Sequence, residues 1–325
     1  MDETDDTREV ARSDSVEAEC ETGDANIDPA DAFAALGNST RVEILQAFLE
    51  RYLANPEETT VQFSTLRKAT GIRDSGQFRY HLEQLRGMFV EKCEDGYRLT
   101  YAGSNVINAI IAGTYTGRKR LGPVTLDSTC SRCGTGARAS YRDGVLEVAC
   151  ENDHLLFFWT VPPNAAASGS IEELVELTTT LAFQSYELVA GGTCSACYSA
   201  VEPGIRLVET DGAERSARFS AYCDSCAASW DAPAGFVLLT HPEIESLYYR
   251  RGRPISTRYW WELEVVDRVD QVTVLEEGPL RVRLSVSIDD VRVRATIDES
   301  ARVVDLDLDP DLESRSETDR SQSQT

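Results

Sequence analysis

Seven of the nine cysteines in this 325-residue chain fall into spacings that can hold a metal ion. Cys130-Ser-Arg-Cys133 is followed, after 16 residues, by Cys150, and then by His154. Further on, Cys194-Ser-Ala-Cys197 is followed after 25 residues by Cys223-Asp-Ser-Cys226. Two such pairs can set four ligands at the corners of a tetrahedron, the geometry Zn²⁺ prefers with thiolate and imidazole donors. The second set, with four cysteines, is the stronger pattern. In the first, His154 lies one residue past the regular spacing, where Asp153 stands. A catalytic metal needs an open coordination position and a nearby base, and neither set offers one. Two structural Zn²⁺ sites are therefore expected. The rival reading, disulfides, is disfavoured in a chain without a secretory signal. Cys20 and Cys93 are left over: Cys20 reads as incidental, Cys93 as a buried thiol.

The ligands need elements that hold them together. Between the first two ligand pairs, 137–141 and 145–149 read as strands joined by Asp143-Gly144. Between the second two, 205–209 and 218–222 flank an Asp211-Gly212 tip. A hairpin carrying a ligand pair at its open end is the arrangement of a zinc ribbon. Each ribbon is followed by an apolar strand with proline nearby, 155–163 and 230–239. A helix follows each, opened by a capping box: Ser170-Ile-Glu-Glu173 and Thr240-His-Pro-Glu243. Residues 126–188 and 192–252 thus read as two copies of one ribbon–helix unit. Ser256 is expected to cap a last short helix carrying Tyr259, Trp260 and Trp261, one Trp for the core and one for a neighbour or ligand. Four alternating runs, 269–275, 280–288, 291–295 and 303–308, predict an antiparallel β-meander of three or four strands.

The N-terminal third has a different character. Asn38 to Thr40 is expected to cap a helix with Val42, Leu45, Leu49 and Leu53 on one face. Ser64 caps a short helix that Gly71 ends, and Asp74 or Ser75 caps a second. In that second helix Phe78, Leu82 and Leu85 fall at i, i+4 and i+7, one buried face, and Gln77, Arg79, Tyr80, Glu83 and Arg86 lie opposite. A strand at Phe89-Val90, an Asp95-Gly96 turn and a strand from Tyr97 follow. Helix, turn, polar helix and hairpin wing is the order of a winged helix-turn-helix. A further helix from about Thr100 carries Val106, Ile107, Ile110 and Ile111. That stripe either packs on its own domain or pairs two subunits.

The run from Phe33 to Leu45 and the run Tyr80-His81-Leu82-Glu83-Gln84-Leu85 resemble the opening and the recognition helix of the ArsR-like repressors. The resemblance covers roughly a quarter of the chain. It implies a transcription regulator that binds double-stranded DNA, as a homodimer, with Ser75, Gln77, Arg79 and Tyr80 meeting bases and phosphates. Lys92, Tyr97 and Arg98 on the wing would follow the backbone or minor groove, and Arg67 and Lys68 would position the first helix. Residues 64–70 lack the cysteines of the metal-sensing branch, so arsenic-type sensing is not implied. A winged helix followed by a zinc ribbon also resembles the archaeal general transcription factor E, which implies an adaptor that contacts the transcription machinery. A metal or redox sensor using the ribbon cysteines is a third reading.

Charge supports a nucleic-acid surface in the N-terminal third. The chain holds 55 acidic and 32 basic residues, a net charge of −23, and only three of the bases are lysine. That composition suits the cytoplasm of an extreme halophile, an archaeon by the resemblance; the alternative reading is an acidic mesophilic protein. Residues 1–31 carry a net −10 and residues 305–325 a net −5, while residues 32–104 balance nine acids with nine bases. Local neutrality in a strongly acidic chain is the relief a DNA surface needs. No run approaches the roughly 20 apolar residues of a membrane span. No phosphate loop, dinucleotide fingerprint, nucleophile elbow or zinc-protease motif occurs, and none of the three histidines has an evident nucleophile partner, so catalysis is not expected. The expected organisation is α+β: an acidic disordered tail (1–28), the winged helix-turn-helix (29–115), and a basic linker (116–125) with Arg118, Lys119 and Arg120. Two zinc-ribbon-like modules follow (126–190 and 191–309), the second including the meander, and then an acidic disordered end (310–325).

Overall fold

The computed structural model describes Cys20 and residues 27–167, 169–209, 215–267, 269 and 271–310. The expected disordered ends lie outside these residues, except Cys20, Ile27, Asp28 and Pro310. The Asp211-Gly212 tip lies outside them as well. The fold is α+β, with eight α-helices and four antiparallel sheets among the described residues. It divides into two units between Thr116 and Gly117.

In the first unit, local capping sets the helix starts. Asp28, far from belonging to a loose tail, caps α1 (Pro29–Leu36) by accepting a hydrogen bond from Ala30 N. Asn38 caps α2 (Ser39–Ala54). The buried face of α2 is Ile44, Leu45, Ala47 and Phe48, whereas Leu53, expected inside, is 73% exposed at the end of the helix. Helix α3 (Phe63–Ala69) starts one residue before Ser64, so Ser64 is not its cap; Gln62 holds that position without a side-chain bond. Gly71 then adopts a φ of +69°, as a left-handed helix exit requires. Asp74 caps α4 (Ser75–Glu83) by accepting from Gln77 N at 2.6 Å.

Strands β1 (Val90–Cys93) and β2 (Gly96–Leu99) form the hairpin, and Val61 pairs with Tyr97 along its outer edge. Helix α5 (Tyr101–Ile111) begins at a Thr100 cap and lies hard against the strand entry. A Cβ on Gly103 would sit 2.1 Å from the Phe89 carbonyl oxygen. Of the apolar stripe on α5, Ile107 is buried and Val106 and Ile110 pack on this unit's own core, leaving Ile111 exposed.

The second unit opens with the meander β3 (Arg120–Thr129), β4 (Gly136–Arg142), β5 (Val145–Cys150) and β6 (Leu155–Thr160). The expected linker is thus half strand: residues 120–125 belong to β3. A 3-10 turn (Pro163–Ala166) leads to α6 (Ile171–Ala190), whose start carries the complete Ser170–Glu173 capping box. The second sheet is β7 (Gly204–Glu209), β8 (Arg215–Tyr222) and β9 (Ser229–Pro233), followed by a 3-10 turn (Ala234–Leu238) and α7 (Pro242–Arg250). The expected box does not form on α7. The cap is His241, whose Nδ1 accepts from Glu243 N, and Thr240 takes no part.

The order is therefore the same twice: ligand turn, hairpin, ligand turn, strand, 3-10 turn, helix. The Trp260-Trp261 pair does not ride on an α-helix. It occupies the second of two 3-10 turns, Ile255–Thr257 and Trp260–Glu262, because Pro254 precedes the first and Arg258 and Tyr259 are extended. A short helix α8 (Glu264–Asp267) and the sheet β10 (Gln271–Glu277), β11 (Leu280–Ile288), β12 (Val291–Asp298) and β13 (Val303–Pro310) complete the unit. These four strands pair in chain order, as the alternation predicts.

Two cores serve this unit. The first joins the β3–β6 sheet to Ile171, Leu174, Val175 and Ala182 of α6 and to Trp261. The second joins Tyr186 and Val189 of the same helix to the β7–β9 sheet, α7, α8 and the inner face of the meander. In β11 the alternation is complete, with Val282, Leu284, Val286 and Ile288 all buried.

Candidate functional site

Both expected ligand sets converge. Cys194, Cys197, Cys223 and Cys226 form one cluster, and Cys130, Cys133, Cys150 and His154 the other; in each, all donor atoms lie within 4.8 Å of one another. The turns that bring them there share a backbone frame. Cys130 N bonds to the Thr135 carbonyl, Cys194 N to that of Ser199 and Cys223 N to that of Ala228, at 2.8–2.9 Å. Within each, the residue after the second cysteine (Gly134, Tyr198, Ala227) takes a positive φ of 59–73°. That reversal turns the chain back so that the next residue's carbonyl accepts from the first cysteine's amide.

The fourth turn is one residue shorter. Cys150 N bonds to the carbonyl of His154 itself, and the positive φ falls on Asp153, at 57°. His154 thus stands one place beyond the reversal, and its longer side chain reaches back to present Nδ1. This accounts for the irregular spacing and for Asp153 in the regular position.

The spacing of the donors fits a tetrahedral metal. Four sulfurs about 2.3 Å from one Zn²⁺ lie about 3.8 Å apart, and a sulfur and an imidazole nitrogen about 3.6 Å apart. The Cys197 sulfur is 3.5 Å from Cys194 and 3.6 Å from Cys223, and Cys194 is 3.7 Å from Cys226. In the other set Cys133 and Cys150 are 3.6 Å apart, as are Cys130 Sγ and His154 Nδ1. The first cysteine of every turn is buried, and the second ligand is the more open one. Both sets can hold a metal ion.

Amides and hydroxyls contact the sulfurs and hold two of the thiols low, whereas burial raises Cys130, and at Cys226 the Ala228 backbone is outweighed by the neighbouring thiols, which raise it. The Ala196 and Cys197 amides donate to the Cys194 sulfur at 3.4 Å, and His154 N donates to Cys150. The hydroxyl and then the backbone N–H of Thr135 lower the Cys133 thiol to about 5. The same groups of Ser199 lower Cys197 to about 6. Sequence reading missed Thr135 and Ser199 as supporting residues. The signal was a hydroxyl residue two places after the second cysteine in both copies.

The left-over cysteines are not independent. Cys20 and Cys93 form a disulfide across 73 residues, with the two backbones paired in an isolated antiparallel bridge. Cys20 is therefore not incidental and Cys93 is not a free thiol. Spacing alone could not show this, because the partners meet only once β1 is in place.

The expected nucleic-acid residues divide into three groups. Ser75, Gln77, Arg79 and Tyr80 share the exposed face of α4, opposite the buried Phe78 and Leu82. The Arg79 guanidinium lies over the Phe63 ring, 5.1 Å from its centroid. Lys68 and Lys92 are exposed, and Arg67 donates to the Arg73 carbonyl at 2.7 Å, bracing the loop between α3 and α4. Tyr97 does not face outward. It is 7% exposed, its backbone bridged to Val61 and its ring beside Phe63. Arg98 is tied to Glu91 on the neighbouring strand, so its charge is neutralised within the hairpin.

No helix among the described residues is long and apolar enough to cross a membrane. No curated protein and no solved structure matches the chain. Residues 29–110, within the first unit, match a family described as Domain of unknown function (DUF7347). Residues 127–303 match another, Domain of unknown function (DUF7351), over a stretch holding every residue of the two ligand sets. As that match spans more than half of the sequence, the chain belongs to the DUF7351 family.

Proposed function

We propose that the chain is a sequence-specific DNA-binding transcription regulator. In this reading the first unit is a winged helix-turn-helix of ArsR-like type, and the second a scaffold held by two structural Zn²⁺ ions. The carrying observation is the two-faced α4. Phe78 and Leu82 anchor it with at most 1% exposure, while Ser75, Gln77, Arg79 and Tyr80 stand exposed on the other side. A rigid helix with such a face suits the major groove, where Arg and Gln can read guanine and adenine edges.

The acid-rich, lysine-poor composition is that of a protein working in molar salt. There the screening length is about 3 Å. Counterion release then contributes little, and affinity rests on direct hydrogen bonds, apolar contact and pairing of two subunits. The Zn²⁺ ions hold the ribbon turns and take no part in chemistry. Such a scaffold serves oligomerisation, effector sensing or partner contact.

One observation favours a second reading, an adaptor that binds protein partners at promoters. The hairpin offers Lys92 as its one unpaired cation among the described residues, and its tip carries exposed Glu94 and Asp95. A wing of that charge is poorly suited to phosphates. Mapping the tagged protein on the chromosome of its own host separates the two. Occupancy at a few promoters sharing a palindromic site supports the dimeric regulator. Occupancy at most active promoters supports the adaptor, and no focal occupancy removes the first reading.

A further inference from the structure

The second unit contains a groove of about 1350 Å³ between α6, α7 and the two 3-10 turns that follow α7. Two kinds of side chain dominate it. Six carboxylates line it: Asp127, Glu173, Glu176, Glu187, Glu245 and Glu262. Four aromatic rings stand among them: Phe183, Tyr249, Tyr259 and Trp260. Arg258 is the one cation in the lining, and it forms no ion pair among the described residues. None of the six carboxylates forms an ion pair there either.

The aromatic end of the groove is built rather than accidental. The Tyr259 ring stacks on Trp261 with centroids 4.7 Å apart and planes 8° from parallel. Trp261 is buried, and its Nε1 donates to the Ser128 hydroxyl at 2.8 Å. That hydroxyl in turn donates to the Glu262 carboxylate at 2.6 Å. One chain of bonds therefore fixes both a ring and an acid of the lining. Trp260 is held edge-on by Phe236 at 4.2 Å and by Phe183 at 6.1 Å. Negative charge gathers at the same place. The Tyr259 hydroxyl is pushed up by burial first, and then by the fields of Glu176, Glu262, Glu172 and Asp127.

Fixed aromatic rings beside carboxylates that form no ion pair attract one kind of ligand, a cation with an apolar body. Anions are repelled, and a neutral apolar molecule leaves the negative charge uncompensated. The chain's own ends are no better, since residues 1–31 and 305–325 carry net charges of −10 and −5. In concentrated salt long-range attraction is screened, but contact with a ring face is not. We propose that this groove binds a small organic cation, an ammonium, phosphonium or guanidinium group on an apolar or aromatic body, at its Tyr259–Trp260 end. The volume exceeds the roughly 300–1,000 Å³ of a pocket for one drug-sized ligand, so the cation fills that end and leaves the rest open. The proposal stands apart from the regulator reading and does not depend on DNA binding.

The probe is tetraphenylphosphonium, with uncharged triphenylphosphine oxide as its counterpart. Binding to the full metal-loaded chain is followed by equilibrium dialysis and by tryptophan fluorescence. The expected result is tetraphenylphosphonium binding with Kd below about 100 µM and the oxide at least about tenfold weaker. Glu176→Gln and Glu262→Gln are each expected to weaken the cation about two- to fivefold, the worth of one exposed charge pair. The amide oxygen introduced by Glu262→Gln can still accept the Ser128 hydroxyl, and Glu176 is exposed, so the circular dichroism stays that of the wild type. Equal binding of the neutral probe overturns the proposal. So does tetraphenylphosphonium binding that the two substitutions together leave unchanged, or no binding of the cation at about 1 mM.

Discussion

Replacing Cys223 by serine tests the metal reading at one of its two fully buried ligands. Cys223 has no exposed surface and lies in the second core with Phe219 and Leu238. Structural Zn²⁺ is worth about 10–16 kcal/mol in small peptides. One ligand of four accounts for roughly a quarter of that, about 3–4 kcal/mol. A serine hydroxyl left without a partner in the vacated position adds about 1–3 kcal/mol. The total, roughly 4–7 kcal/mol, is comparable to the whole stability of an ordinary domain, about 5–15 kcal/mol. For a unit of this size each kcal/mol moves Tm by about 2–4 °C, so a fall of about 10 °C or more is expected. The assay pairs elemental analysis with calorimetry. The wild type is expected to carry two Zn²⁺ per chain and the variant one, and the transition of the first unit should stay in place. A chelator should act in the same direction and spare residues 31–115. A variant that keeps two ions, or loses one without a change in Tm, refutes the assignment of this cluster as a structural site.

Arg79→Ala is expected to reduce operator affinity by about 1–3 kcal/mol in a fluorescence-anisotropy titration, with the fold intact; unchanged affinity removes α4 from the DNA surface. Reducing the Cys20–Cys93 disulfide, or Cys93→Ser, is expected to cost the first unit about 4 kcal/mol, the loop-closure entropy of a 73-residue separation. Equal urea midpoints with and without a phosphine reductant would contradict that. Burial pushes the Glu264 carboxyl up, but hydrogen bonds from Arg253, its own backbone N–H and Tyr248 outweigh it, and the group ends below its ordinary 4.5. A depressed carboxyl stabilises the folded state above that ordinary value and loses its contribution as pH falls through the folded value. The second unit should therefore weaken on acidification below about pH 4.5. Glu264→Gln should flatten that limb of the stability–pH curve; an unaltered limb would mean that the pair with Arg253 contributes nothing.

Legibility in the sequence followed the range of the interactions. The ligand sets were readable because each turn is closed within six residues, and their hairpins because Asp143-Gly144 marks the first reversal. Helix starts at Asn38, Asp74, Thr100 and Ser170 were readable for the same reason, a side chain capping an amide three places on. Cys20–Cys93 was not readable, since its 73-residue separation leaves no local trace. The burial of Tyr97 was not readable, because Val61, whose backbone bridges to it, comes from far earlier in the chain and pairs only in the folded unit. Strand alternation says that a side chain leaves the sheet, not what waits on that side. The Trp260-Trp261 turn failed differently. A serine before aromatic residues resembles a helix start, but no run of helical periodicity follows it, and Pro254 already sets the backbone. The groove that this turn completes could not be seen from any one of its segments.

Helix α6 has a mechanical consequence. Twenty residues make a rod about 30 Å long, and this one lends its first half to one core and its last turns to the other. The first ribbon has no helix wholly its own to shelter behind, and the second shares α6 in addition to α7. Loosening either end withdraws Leu174 and Val175, or Tyr186 and Val189, from a neighbour that depends on them. The two repeats are thus yoked. They should melt together, as a single calorimetric peak, and a defect in one ligand turn should be felt by the other through the length of the rod.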